Sequence, residues 1–164
     1  MKKIAFASAL ALSLGLLSTG SANAATATAS ATIISAITIV NSIGLQFGQI
    51  APSASAGTVS VDTTGARTST GGVTLTSSIP TTAASFLVAG APSNTYAITL
   101  PSSTTIAFGL NSMTVDTFVS VPGPIGTLSI TGTDTINVGA KLHVGASQAT
   151  GVYAGTFDVT VAYN

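Results

Sequence analysis

The stretch GVYAGTFDVTVAYN, Gly151–Asn164, decides the fold class of this 164-residue chain. Apart from Gly155, its odd positions from Tyr153 to Tyr163 are apolar or aromatic, and its even positions are mostly small or polar. Because side chains of a strand alternate between the two faces of a sheet, the pattern predicts a half-buried strand of about a dozen residues, roughly twice the usual length. We expect Phe157 and Val159 to face the core and Asp158 to face water.

Shorter segments with the same alternation recur along the chain, separated by Gly, Pro and Ser. Beyond the first two dozen residues no stretch has the apolar spacing of a helix, and long helix-forming side chains are scarce, since the chain has no Glu. Roughly eight to eleven short strands are expected, which is typical of a sandwich or a barrel. We favour an all-β fold, an Ig-like antiparallel β-sandwich.

The first residues have the pattern of a secretory signal peptide. The basic pair Lys2–Lys3 precedes the apolar stretch Ile4–Leu17, and Ala22-Asn23-Ala24 supplies small residues at the cleavage site. We expect residues 1–24 to be a helical signal peptide and the mature chain to begin at Ala25. The protein would then be exported to the periplasm, the cell surface or the extracellular space.

Composition excludes several functions. The chain has no cysteine, so neither a disulfide nor thiolate chemistry is available to it. Beyond residue 24 it carries two basic residues, Arg67 and Lys141, and four aspartates. This charge is too sparse for a nucleic-acid footprint or a polybasic membrane segment, and we expect no membrane span in the mature form.

Candidate catalytic groups are few. His143 is the only histidine, and it shares a predicted strand face with Lys141, so an exposed surface residue is a better interpretation than a catalytic base. No G-x-S-x-G elbow is present, and Asp116 and Asp158 lie within alternating segments where they would face water. We therefore expect a non-enzymatic protein without a catalytic, metal or cofactor site.

The closing stretch resembles the carboxy-terminal motif of bacterial chaperone–usher pilins. The resemblance rests on a glycine fourteen residues from the end of the sequence, alternating apolar residues and a penultimate tyrosine. It implies a strand that pairs with a periplasmic chaperone before subunits assemble at an usher. The residues that carry this assembly role would be Gly151, Tyr153, Phe157, Val159, Val161 and Tyr163.

A second resemblance spans most of the chain. Its elements include Leu45-x-Phe47-Gly48-x-Ile50, Phe86-x-Val88-x-Gly90, Tyr96-x-Ile98-x-Leu100-Pro101, Val138-Gly139-Ala140-x-Leu142-x-Val144 and the closing stretch itself. In order and spacing they are similar to a secreted bacterial family known only as domain of unknown function 4402. Its members look distantly similar to pilin and spore-coat subunits, which implies architecture and compartment rather than a mechanism.

The domain boundaries follow from these patterns. We expect an amino-terminal arm or first strand at residues 25–40 and the sandwich domain at residues 41–164. The arm alternates small apolar residues with Thr and Ser before its isoleucines. It is therefore either a donor strand for another subunit, with Ile33, Ile37 and Ile39 as its apolar residues, or a frayed terminus.

These expectations predict a secreted structural or adhesive surface protein, a fimbria-like subunit that assembles by β-strand complementation. Its partners would be copies of itself or related subunits, with a periplasmic chaperone and usher, and no nucleic acid. The alternative is a monomeric secreted sandwich that binds a carbohydrate or small ligand. Aromatic residues on loops would favour this alternative, but the sequence places them within strands: Phe86, Tyr96, Tyr153, Phe157 and Tyr163.

Overall fold

The computed structural model describes residues 23–164, which contain ten β-strands and no α-helix. In chain order the strands are β1 (Thr38–Ile43), β2 (Gln49–Val61), β3 (Arg67–Thr76), β4 (Ala84–Ala89), β5 (Thr95–Thr99), β6 (Ser103–Phe108), β7 (Asn111–Val121), β8 (Ile125–Thr127), β9 (Thr133–Val144) and β10 (Thr160–Tyr163). All pairings are antiparallel, and the predicted all-β sandwich is confirmed. The predicted signal peptide lies outside the described residues, apart from Asn23 and Ala24.

Strand β9 organises the larger, seven-stranded sheet. On one edge β4 pairs with residues 133–138 and β2 pairs with residues 140–144. On the opposite edge β7 pairs with β9, and β6 continues the sheet beyond β7. The inward residues of β9 are small or β-branched apolar residues and leucine, which suits a strand with neighbours on both edges.

The smaller sheet has three strands, with β5 between β10 and β8. Its inward side chains meet those of β4 and β9 in one core cluster. Tyr96 lies fully buried at the centre, and its hydroxyl donates to Asp134 Oδ2 at 2.9 Å. Burial, together with this carboxylate, raises the pKa of Tyr96 far above its ordinary value. The Tyr96 ring fills the place where Gly126 would carry a Cβ, so β8 needs glycine there.

The larger sheet also curls around a second cluster of its own. Val59, Val115 and Leu142 are buried at its centre, on strands β2, β7 and β9. Side chains from β3 and β6, which are far apart in the order of the sheet, pack against the same cluster. The sheet must therefore bend until these two strands approach each other, as strong strand twist allows.

The strand in the closing stretch is shorter than predicted. Only Thr160–Tyr163 forms a strand, where it pairs with Tyr96–Thr99 of β5, so the predicted continuous strand of about a dozen residues is wrong in length. Further back, Ala154 makes a single bridge with Ala107 of β6. The stretch thus runs antiparallel beside β5 and β6 in succession. The ladder is interrupted where the chain between those strands contains Pro101, which has no N–H to donate.

The alternation itself is confirmed in the same stretch. Phe157 is half-buried and Val159 is 8% exposed, and both pack with the core cluster shared by the two sheets. Asp158 is exposed between them. Side-chain direction therefore follows the period of two even where the backbone has no strand partner.

The amino-terminal part begins its strand later than predicted. β1 starts at Thr38 and ends at Ile43, so only the last three residues of the expected arm or first strand at residues 25–40 belong to a strand. Residues up to Thr32 form a unit of their own, and its described residues, 23–32, are exposed and contain no strand. Within residues 23–164 no helix is long and apolar enough to cross a membrane.

Candidate functional site

The closing segment, residues 151–163, connects two ends of the sandwich. At one end, Tyr163 on β10 joins three separate parts of the chain through its hydroxyl. Tyr163 Oη accepts from the Ala91 amide at 2.6 Å and donates to the Ser35 carbonyl oxygen at 2.9 Å. The same hydroxyl lies in the space where Gly90 would carry a Cβ. Tyr163 therefore ties the turn after β4 and the chain just before β1 to the last strand.

At the other end, Tyr153 and Gly151 pack against the β6–β7 hairpin. The ring centroids of Tyr153 and Phe108 are 5.9 Å apart with tilted planes. Gly151 lies so close to the Phe108 ring that a Cβ would overlap it. The glycine that marks the start of the predicted motif is thus needed here for close packing, a physical reason that its position in the sequence does not reveal.

Between these ends, Phe157 and its neighbours fill the core. The Phe157 ring lies 6.1 Å from Phe86 in an edge-on arrangement and 5.0 Å from Phe118 in a tilted one. Val161 packs against the same cluster. All six candidate residues of the closing segment therefore contact their own domain, five through side chains and Gly151 through its lack of one.

The candidate donor residues separate into two groups. Ile37 and Ile39 are half-buried and pack against the core shared by the two sheets. Ile33, in contrast, is 95% exposed, and Ile34 is 49% exposed. The structure does not bring these isoleucines together: the first two belong to the sandwich, whereas Ile33 lies in solvent.

The backbone of β10 is unpaired on the side away from β5, although β1 lies close to this strand. Asn164 N donates to Thr95 O, and alternate residues of an antiparallel strand bond to the same neighbour. The backbone N–H and C=O groups of Val161 and Tyr163 therefore point away from β5. Within residues 23–164, no strand pairs with that edge, and residues 155–159 make no backbone–backbone hydrogen bond.

Contacts with four residues could not be read from the sequence. The Tyr163–Ser35 bond joins residues 128 positions apart, and no motif marks Ser35 or Ala91. No motif marks Phe108 or Phe118 either, although an aromatic residue beside a hairpin glycine, as at Phe108, is a weak signal of packing against another segment. Contacts of this kind depend on how the sheets fold over one another.

His143 and Asp116 form the one contact between a basic side chain and a carboxylate within 4.0 Å among the described residues, and it is an ion pair only when the imidazole is protonated. His143 Nε2 lies 3.0 Å from both carboxylate oxygens of Asp116 on the neighbouring strand. The hydrogen bond with His143, followed by one from Thr117, lowers the pKa of Asp116. His143 is about half exposed, in agreement with its expected place on the surface.

Other charged groups are used within the fold. Arg67 donates to three backbone carbonyl oxygens, those of Phe47, Gln49 and Thr76. Asp62 caps its own turn between β2 and β3, and hydrogen bonds from that turn, first from the Thr64 hydroxyl, lower its pKa. In residues 23–164 no group of three His, Cys, Asp or Glu side chains is placed to hold a metal ion.

Comparison with known proteins identifies a family and no individual relative. Neither the curated proteins nor the solved structures provided a match. A family model described as "Domain of unknown function (DUF4402)" matches residues 37–163. The match starts within one residue of β1, includes all ten strands and leaves Ile33 outside it. Since it covers well over half of the sequence, the chain belongs to the DUF4402 family.

Proposed function

We propose that this protein is an exported, non-enzymatic subunit of a surface assembly with a structural or adhesive role. In this assembly, the arm of one copy, residues 25–34, pairs as a β-strand with an open sheet edge of the next. One observation carries the proposal: Ile33 is 95% exposed in a segment without strand partners, while the same chain leaves the edge of β10 unpaired.

The arm has the composition of a donor strand. Its residues alternate between Ala and Thr or Ser before reaching Ile33 and Ile34. In the extended conformation ten residues span about 33 Å, which exceeds the length of most strands in the sandwich. Two adjacent exposed isoleucines contribute a favourable free energy only when a partner covers them. The contribution is about 25 cal/mol per Å² of apolar surface removed from water.

The open edge of β10 has the complementary property. Unpaired N–H and C=O groups on an edge strand are a template for another strand. The backbone groups of Val161 and Tyr163 point to that edge, and the segment before them, residues 155–159, is unpaired as well. Together they offer an acceptor for a strand from another molecule.

The donor is narrower than the sequence indicated. Ile37 and Ile39 pack against the core of their own domain, and β1 pairs with β4 of the same chain. Removing them from that position would expose the core. The proposed donor therefore ends at Ile34, and Ile33 is its main apolar residue.

The partners follow from the resemblance of residues 151–163 to the pilin motif. It supports a periplasmic chaperone that covers the open edge before assembly and an usher at which subunits join. Copies of this chain or related subunits would be the final partners, and the localisation would be the cell surface.

The test uses protein that lacks residues 25–34 and a synthetic peptide with the sequence of residues 25–36. A peptide that completes the sheet binds only the folded protein, so it should raise the Tm as its concentration increases. At a hundred times its Kd, the free energy of unfolding should increase by about 2.7 kcal/mol. A control peptide with Ile33→Asp and Ile34→Asp should have little effect.

Two results would contradict the proposal. The first is full-length mature protein that stays monomeric at high concentration in analytical ultracentrifugation, with no shift when the peptide is added. The second is fibre formation by the protein that lacks residues 25–34, since the arm would then be unnecessary.

A further inference from the structure

A shallow groove lies on the outer face of the larger sheet, and none of its lining residues belongs to β10 or to the arm. It has a volume of about 550 Å³ and crosses the ends of β2, β3, β7 and β9. Three glycines, Gly57, Gly71 and Gly145, border it, and the space where each would carry a Cβ is filled by other atoms of the chain. These glycines therefore allow close packing within the fold beside the groove. The groove is open to solvent, so a ligand bound there would lie on the surface of the sheet.

Hydroxyl groups stand on both sides of this groove. Thr58 and Thr70 lie on neighbouring strands on one side, with their Oγ1 atoms 2.8 Å apart, and Ser112 and Thr114 lie on β7 on the other side. A hydroxyl both donates and accepts hydrogen bonds. The groove therefore presents groups that suit a ligand with many hydroxyls of its own.

His143 stands between the two sides in a fixed orientation. Its Nε2 faces both oxygens of Asp116 at 3.0 Å, so Nδ1 is the ring atom left for another partner. Asp116 is itself held by Thr117 Oγ1 at 2.9 Å. Thr117 has a φ of 50° and belongs to an irregularity in the β7–β9 pairing. Strained residues and bulges of this kind are frequent at functional sites.

The groove has too little net charge to favour an ionic ligand. Lys141 is the direct cross-strand partner of Asp116, so the carboxylate that orients His143 already has a cation opposite it. No other charged side chain borders the groove within the described residues. The surface there has many hydrogen-bonding groups and little net charge.

We propose that this groove binds a neutral saccharide residue, with the threonine hydroxyls and His143 Nδ1 as its hydrogen-bonding partners. This site is separate from the proposed assembly, because none of its residues belongs to the arm, to β1 or to β10. An adhesive subunit would thus carry its ligand site on the face of the sheet and its assembly contacts along the sheet edge.

The experiment is an NMR titration of uniformly ¹⁵N-labelled mature protein with mannose, galactose and N-acetylglucosamine. N-acetylneuraminic acid serves as the charged comparison. A neutral sugar should shift the amide resonances of Gly57, Gly71 and Gly145 in a saturable way. Thr58→Val keeps the side-chain shape and removes one hydroxyl, so it should weaken binding about three- to tenfold. His143→Ala should weaken it by a similar factor.

Thr127→Val on the outer face of the smaller sheet is the matched control and should leave the affinity unchanged. A titration in which none of the neutral sugars shifts these resonances would overturn the proposal. So would binding of N-acetylneuraminic acid alone, or affinity that survives both Thr58→Val and His143→Ala. Amide spectra of each variant report whether the fold is intact, and Thr70→Val replaces Thr58→Val if that variant does not fold.

Discussion

Tyr163 shows how one side chain can hold distant parts of a β-sandwich together. Its hydroxyl is shared between the Ala91 amide and the Ser35 carbonyl, and Ala91 is 5% exposed. A phenylalanine would fill the same volume but leave the buried Ala91 amide without a partner, whereas the Ser35 carbonyl is exposed to water. Because leaving buried polar groups unpaired is costly, this residue is a direct test of the described geometry.

We expect Tyr163→Phe to lower the free energy of unfolding by about 1–3 kcal/mol. Tyr153→Phe is the matched control, since the Tyr153 hydroxyl bonds within an exposed loop, to Ala149 and Gln148, and its loss should cost less. Chemical denaturation of both variants measures the difference. If Tyr153→Phe proved the more damaging change, the role given to Tyr163 would be wrong.

Substitutions at Phe157 and Asp158 test which face of the closing segment is buried. Phe157→Ala removes a half-buried ring that contacts Phe86 and Phe118, and we expect a loss of about 3 kcal/mol of stability, near the lower end for such substitutions. Asp158→Asn, on the exposed face, should change stability by less than about 0.5 kcal/mol. Urea melts in the reverse order would mean that the two faces are inverted.

The lowered pKa of Asp116 predicts that the stability of the fold depends on pH in the acid range. Its folded-state pKa is lowered, first by the hydrogen bond with His143, so the carboxylate stabilises the fold above the unfolded-state pKa, and this contribution is lost as pH falls through the folded value. The advantage of the wild type over Asp116→Asn should therefore shrink as pH falls below the ordinary aspartate pKa of about 3.9 and be absent below the lowered folded-state pKa. Thermal melts across this acid range measure it, and an advantage that grows toward low pH would contradict the assignment.

At the scale of elements, the closing segment separates side-chain alternation from strand pairing. Residues 155–159 keep the alternation but make no backbone–backbone bond, whereas Thr160–Tyr163 pairs with β5. Alternation reports which side chains are buried. Pairing depends on a neighbour with free donors, and Pro101 interrupts that neighbour.

Hydrogen exchange should reveal this difference. In the monomer the amides of residues 155–159 should exchange rapidly, and the amides of Ala162 and Asn164, which face β5, should be protected. In an assembly, the amides of Val161 and Tyr163 should become protected as well, because they point to the open edge. Protection of Val161 and Tyr163 in the monomer would mean that this edge is already covered.

At the scale of the whole molecule, the arm and the sandwich contribute differently to stability. Deleting residues 25–34 removes only exposed residues, so we expect the free energy of unfolding of the monomer to change by less than about 0.5 kcal/mol. Replacing Ile37 and Ile39 by Asp places charge against the core and should prevent folding or lower stability severely. Circular dichroism melts compare the two variants, and strong destabilisation by the deletion alone would show that the arm belongs to the folded unit.

The sequence by itself determined the class of the fold and the faces of its strands. A period of two, frequent Gly and Pro breaks and the scarcity of helix formers are local properties, and they were sufficient for the antiparallel sandwich and for the burial of Phe157 and Val159. The order and spacing of motifs such as Phe86-x-Val88 also indicated the family that the match over residues 37–163 establishes.

Only the tertiary structure decided which strands pair, where they end and which residues meet. The closing strand is short because Pro101 separates β5 from β6, the two strands beside which the closing segment runs. Ile37 and Ile39 belong to the core whereas Ile33 does not, and Tyr163 meets Ser35 across 128 positions. His143 and Asp116 likewise meet because β7 and β9 are neighbours in the sheet. The physical reason is that burial of one face is encoded residue by residue, whereas hydrogen-bond partners in a sheet come from distant segments and depend on how the whole chain folds.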